Sequence, residues 1–269
     1  MAVTKKEYIL ATFLSSCLAV ALLIGAIGTQ NWVEGEGVTG EARTNLINYG
    51  LFQGTFNNRF LQTAVINNVY MTCLISDNVC ALSCKTKKEA REKELETIYS
   101  GYSVPQSCDS NGNSNGIAIT KELVWLNGGV YISTLLFLSI ALLMSAVSAV
   151  FGLYNTARSP VEPLIGVFGL YIWNGCSACS SLLVMLIWGI SYSIDITQSL
   201  AFTQIMISTT EYISVISNLG FSYWLVLVAM FCHILNGGLL GLRYYLIQKE
   251  PPPPVINIEK NTDNTIFLY

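Results

Sequence analysis

Four long stretches of this chain carry no Lys, Arg, Asp or Glu, and no other feature restricts its fold as strongly. The first runs from about Tyr8 to Ile27, directly behind Lys5 and Lys6. The second lies within Leu123 to Ala157, the third within Pro163 to Ile194, and the fourth runs from Tyr223 to Leu242 and ends at Arg243. A bilayer core ~30 Å thick needs about 20 mostly apolar helical residues to cross it. Only 12% of the 269 residues are charged and 52% are hydrophobic, whereas a soluble domain carries about 25% charge. An ionised side chain in hydrocarbon costs several kcal/mol, so charge withdrawn from four segments and gathered between them is the mark of a membrane protein. Two further apolar stretches fail as spans. Phe60 to Ser76 is short and holds Gln62, Asn67 and Asn68, and Thr197 to Gly220 is polar and interrupted by Glu211.

The expected fold is therefore an all-α four-transmembrane-helix bundle with a large disulfide-containing extracellular loop between spans 1 and 2, long enough to hold a small β-sheet. Spans are expected at 8–27, 129–153, 168–190 and 222–242. They are joined by an extracellular loop at 28–128, a cytoplasmic loop at 154–167 and a second extracellular loop at 191–221, with cytoplasmic ends at 1–7 and 243–269. The first span also has the basic start and the small residues, Ala26-Ile27-Gly28, of a cleavable signal peptide. Its apolar core exceeds the ~7–15 residues usual for a signal, which favours an uncut anchor.

Short flanks set orientation, because basic residues stay on the cytoplasmic side. Lys5, Lys6, Arg158, Arg243, Lys249 and Lys260 fall on one side, while the third loop has only Asp195 and Glu211. Both termini are thus expected in the cytoplasm. The net charge of −3 and the absence of a basic face exclude a nucleic-acid surface.

Four of the eight cysteines, Cys73, Cys80, Cys84 and Cys108, fall in the first loop, where an oxidising compartment lets them pair. Two disulfides are expected, and three connectivities are open. Zinc is disfavoured, since the loop has no histidine and no second tight cysteine pair. Lys85 to Ile98 predicts one charged helix, with Lys85–Glu89, Lys88–Glu92 and Glu89–Lys93 at i,i+4 spacing. Ser107 to Gly116 has the composition of a loop. There is no N-x-S/T acceptor in the first loop, only the rare cysteine variant Asn78-Val79-Cys80.

Within the spans polar residues are few. Asn174 lies in the third, and His233 and Asn236 share one face of the fourth. An intramembrane histidine invites a proton-relay reading, but without an intramembrane carboxylate interhelical hydrogen bonding is the expected use. Gly237-x-x-x-Gly241 and Ser148-x-x-x-Gly152 have the spacing that lets helix backbones approach, and Gly175 to Ser181 is rich in small residues. Cys176-x-x-Cys179 spells a redox motif without its fold. The chain lacks H-E-x-x-H, G-x-S-x-G and the phosphate loop, so neither a catalytic site nor a cofactor is expected. The spans are too apolar to line a water-filled pore.

The first span ends in Gly28-Thr29-Gln30-Asn31-Trp32, followed by Tyr49-Gly50-Leu51-Phe52-Gln53-Gly54. A tryptophan followed by such a block resembles the claudin-like four-transmembrane superfamily. Trp32, Gly50, Leu51, Phe52 and Gly54 are together most similar to the clarins. Tyr154-Asn155, Gly169-Leu170-Tyr171-Ile172-Trp173-Asn174-Gly175, Ser222-Tyr223-Trp224, His233-Ile234-Leu235-Asn236-Gly237 and the final Leu268-Tyr269 extend the similarity over about two-thirds of the chain. Two departures suggest a divergent or invertebrate member. The first loop is longer than in vertebrate clarins, and its cysteines lie far downstream of the block. The resemblance implies a non-enzymatic organiser of plasma-membrane domains in sensory or actin-rich cells. An auxiliary or trafficking subunit of a channel or receptor, and a claudin-like adhesion protein, are the alternatives.

The expected partners are membrane lipids, other membrane proteins and a scaffold at the tail. Pro251 to Pro254 favour an extended polyproline segment of the kind SH3, WW and EVH1 domains take, although a stiff spacer is the plainer reading. Phe267 and Tyr269 place apolar residues where a PDZ groove reads a free carboxyl end.

Overall fold

In the computed structural model, which describes residues 6–39, 44–60, 63–102, 108, 125–158, 164–197 and 212–249, four helices are long and apolar enough to span a bilayer. They are α1 (Lys6–Gly28), α3 (Gly128–Ala157), α4 (Val167–Ser191) and α5 (Phe221–Gln248). A short helix, α2 (Lys88–Tyr99), lies between the first two spans. Helix α1 packs against α3 and α5, and α4 completes the ring by packing against the same two. Each span buries one stripe, such as Thr12, Ser16, Ala19, Leu23 and Ala26 of α1, and turns large apolar side chains outward. That outward face suits lipid as its solvent, where a helix that is apolar all round is stable.

The helices overrun the expected spans. Helix α5 continues past Arg243 to Gln248, and α4 passes into one turn of π-helix at Tyr192–Ile196. The start of α3 is held twice. Asn127 Oδ1 accepts from Gly129 N and Val130 N at 2.8 and 3.3 Å, and Asn78 Oδ1 accepts from Gly129 N at 2.6 Å. These bonds satisfy amides that a helix N-terminus leaves without partners.

The loop between α1 and α3 carries more sheet than expected. Strands β1 (Val33–Thr39), β2 (Thr44–Tyr49), β3 (Gln53–Phe60), β4 (Thr63–Leu74), β5 (Val79–Ser83) and β6 (Leu126–Asn127) form an antiparallel meander. A seventh strand, β7 (Tyr212–Leu219), pairs with β1, giving the order β6-β5-β4-β3-β2-β1-β7. The polar segment before the fourth span, expected as plain loop, therefore closes one edge of the sheet and joins the first and third loops into one body. Likewise the rejected stretch Phe60 to Ser76 is largely β4.

Alternation of side chains explains the sheet. Val33, Ile47, Tyr49, Phe56, Val69 and Met71 point inward and are buried, while Glu34 and Glu36 of β1 point outward. The inward set is continuous with Ala19, Leu23 and Ala26 of α1 and with Leu138, Val184 and Val226, so one hydrophobic core passes from bundle to sheet.

Of the three open connectivities, the structure has Cys73–Cys80 and Cys84–Cys108. Cys73 and Cys80 are direct cross-strand neighbours in β4 and β5. The charged helix begins at Lys88, three residues later than expected, because Lys87 is still extended. Lys85 thus lies outside the i,i+4 pattern and pairs with Glu94 at 3.3 Å rather than with Glu89. Lys88–Glu92 forms at 3.6 Å on the solvated face. The inner face of α2 buries Leu95 and Ile98, with Ala81 of β5 in the same cluster, and Glu94 accepts from Ser83 Oγ at 2.6 Å.

Candidate functional site

The polar side chains inside the spans converge. Asn174 sits two turns into α4, and its amide nitrogen donates to Leu170 O at 2.8 Å and Ser148 Oγ at 2.6 Å. A backbone carbonyl can only accept, so this contact fixes which end of the amide faces which way. Asn174 Oδ1 is then aimed at α5, where it accepts from Asn236 Nδ2 at 2.8 Å and lies 2.8 Å from His233 Nδ1. Because that oxygen has no proton, Nδ1 of His233 must carry one, which assigns the imidazole tautomer. Asn236 Nδ2 also donates to Ser16 Oγ at 3.0 Å, and Ser16 Oγ lies 3.2 Å from Ser148 Oγ. All five side chains are buried.

This knot takes a residue from every span. Interhelical hydrogen bonds in membranes average about 0.6 kcal/mol, so its effect on net stability is modest. Its effect on register is larger, because sliding any helix by one turn would leave polar groups unpaired in hydrocarbon at several kcal/mol each. Asn174, His233 and Asn236 stood out in the sequence as polar residues in apolar runs. Ser16 and the hydroxyl role of Ser148 did not, since serine is common in membrane helices and each was hidden among small residues.

The glycine spacing sorts differently from expectation. Gly152 of α3 lies directly against the backbone of Phe13, so Ser148-x-x-x-Gly152 does admit a close approach of α1. Gly237 has no atom within 4 Å of the position a Cβ would take, and Gly241 meets only the Tyr171 hydroxyl at 3.9 Å. The α5 pair therefore admits no neighbouring backbone, since its face turns partly away from the bundle. In Gly175 to Ser181, Ser177, Ser180 and Ser181 pack inward while Gly175, Cys176 and Cys179 are exposed on the outer face.

A second constellation joins bundle to sheet. Trp32 is fully buried, donates from Nε1 to Ala26 O at 2.6 Å, and meets Trp188 edge-on at a centroid distance of 5.2 Å and Tyr223 at 6.4 Å. Its backbone bonds Tyr49 O on one side and Gly220 N on the other, each at 2.9 Å. Gly50 and Gly54 are glycines because of close approach. A methyl group at Gly50 would overlap the Thr29 carbonyl, and one at Gly54 would overlap Asn48 and Tyr49. Leu51 is buried, and its carbonyl accepts from Tyr131 Oη at 2.8 Å. Phe52 is the exception, half exposed beside its buried neighbour. Burial, and secondarily the nearby Tyr192, raise the Tyr49 phenol well above its usual range. Pro251, Pro254, Phe267 and Tyr269 of the tail lie outside the described residues, as does the 107–116 segment apart from Cys108.

Among the described residues no group of three or more His, Cys, Asp and Glu is placed to hold a metal ion. Four spans capped by a curled sheet with two disulfides define a four-pass membrane protein whose sheet and bundle share one core. No protein-family model matches the chain. Mouse clarin-3 is 23% identical over 252 residues, 91% of each chain, and human clarin-3 is 25% identical over 169 residues, 58% of this chain and 74% of that protein. Rat clarin-1 is 29% identical over 114 residues, 42% of this chain and 48% of its own length. The protein is a distant relative of the clarins.

Proposed function

We propose that this protein is a clarin-like, non-enzymatic organiser of plasma-membrane domains. Both termini face the cytoplasm, and the sheet faces outward. The observation that carries the reading is the single hydrophobic core from Ala19 to Met71, which makes sheet and bundle one rigid body. Such a body holds an outer surface at a fixed height and angle to the membrane, as an organiser of neighbouring proteins requires. The basic residues at the chain ends and in the short loop support the orientation, and the relationship to clarin-3 along most of the chain supports the class. Sensory or actin-rich cells are the setting that the family resemblance suggests. In this reading residues 251–269 recruit a scaffold, through the prolines to an SH3, WW or EVH1 domain or through Tyr269 to a PDZ domain.

The test is crosslinking of the intact chain in its native tissue, compared with a variant lacking residues 251–269. The reading expects several membrane-protein neighbours for both forms and scaffold proteins for the intact form alone. Recovery of one channel at fixed stoichiometry, with current lost on deletion of the protein, would replace it with the auxiliary-subunit reading. Aggregation of isolated cells expressing the protein would point to adhesion.

A further inference from the structure

The end of the sheet nearest the bundle has two turns, and each displays an apolar side chain that the core does not take. Between β2 and β3, Phe52 is 50% exposed, and between β4 and β5, Ile75 is 75% exposed. Neither sits in slack chain. Gly50 N donates to Gln53 O and Met71 N to Phe52 O, each at 2.9 Å, and Asn78 N donates to Ile75 O at 3.3 Å.

Both turns rest on the ends of spans, which fixes their depth. Gly50 abuts the Thr29 carbonyl just beyond α1, and Leu51 O accepts from Tyr131 Oη near the start of α3. Asn78 accepts from Gly128 N at 2.9 Å through its carbonyl and from Gly129 N at 2.6 Å through its side chain. Helix α3 has 30 residues. At 1.5 Å per residue that is about 45 Å, close to the ~40–45 Å of a bilayer with its headgroups, so the start of α3 lies in the headgroup layer. Phe221 and Trp224, at the start of α5, are likewise about half exposed. Tryptophan is favoured at that depth.

We propose that Phe52 and Ile75 are lipid-contacting residues: the two basal turns of the sheet dip into the headgroup layer of the leaflet on the sheet's side, where phospholipid covers both side chains. The exposed Asp77 in the same turn, two residues after Ile75, adds a preference for zwitterionic over anionic headgroups, because its carboxylate attracts the ammonium and repels bare phosphate charge. The footing would add a lipid contact to the joint between sheet and bundle.

The test places the photo-crosslinking residue benzoylphenylalanine at position 52, 75 or 66 of the full chain in phosphatidylcholine nanodiscs. Ile66 is the control, 64% exposed but nine residues along β4 from Ile75, about 30 Å at 3.3 Å per residue. After irradiation, peptides containing positions 52 and 75 should gain the mass of a phospholipid in yields several-fold above the Ile66 peptide. Equal yields at all three, or adducts at 52 and 75 only to protein, overturn the proposal. A gentler substitution guards against misfolding. With fluorophenylalanine at position 52, a spin label on the lipid near its glycerol should broaden the fluorine resonance, and a water-soluble gadolinium chelate should not. The reverse result also overturns it.

Discussion

Asn174 Oδ1 and His233 Nδ1 meet at 2.8 Å in the interior of the bundle, and the direction of that bond follows from a third group, the carbonyl of Leu170. The oxygen is committed to α5 because the nitrogen is committed to α4 itself. A side chain held in this way acts as a spacer between two helices rather than as a mobile proton carrier.

Replacing Asn174 by Leu should therefore orphan donors on both His233 and Asn236. Leaving buried donors without partners costs about 1–3 kcal/mol. A loss of that size is expected in detergent unfolding titrations. The triple change Asn174→Leu, His233→Leu and Asn236→Leu should cost less than the sum of the single changes, because no donor in that set is left behind.

At the junction of sheet and bundle, Gly50→Ala should destabilise by about 1–3 kcal/mol through overpacking against the Thr29 carbonyl. Gly28→Ala is the matched control, with no atom within 4 Å of the added methyl. It should be neutral or slightly stabilising, since alanine is the better helix former. Thermal melts of the two variants side by side decide this.

Disulfide mapping should recover the peptide pairs Cys73–Cys80 and Cys84–Cys108. Their sequence separations are 7 and 24 residues. Loop-closure entropy then assigns about 2.5 kcal/mol to the first and about 3.5 kcal/mol to the second. Cys84→Ser with Cys108→Ser should lower the melting temperature more than Cys73→Ser with Cys80→Ser.

Alkaline pH should weaken the sheet through Tyr49. Its phenol is raised in the folded chain, first by burial and then by Tyr192, whereas in the unfolded chain it titrates near ~10. Between these values the folded state holds more protons, so this contribution is whole below about pH 10 and lost as pH rises toward the folded value. Tyr49→Phe should flatten the fall in stability above pH 10, measured against the wild-type slope.

The spans were legible because hydrocarbon selects against charge residue by residue, a local and additive signal. The sheet was much less so. Strand β7 reads as a polar connector, and what makes it a strand is pairing with β1, far away in sequence. The knot was half visible, since Asn174, His233 and Asn236 contrast with their surroundings while Ser16 does not. Gly237-x-x-x-Gly241 shows the opposite failure, because spacing reports that a helix face is small but not which way the face turns. The late start of α2 depends on the extended conformation at Lys87, which charge pairs alone did not reveal.

The pairing of β1 with β7 also has a history in time. Strand β1 leaves the ribosome early, yet the strand that covers its outer edge follows about 170 residues later, ~10–35 s at 5–20 residues per second. Until then the ladder groups of Val33 to Val38 that face β7 have no strand beside them. Assembly of the sheet must wait for the third span and the strand that follows it. A pause or premature stop before Tyr212 would thus leave an open strand edge able to pair with another nascent chain.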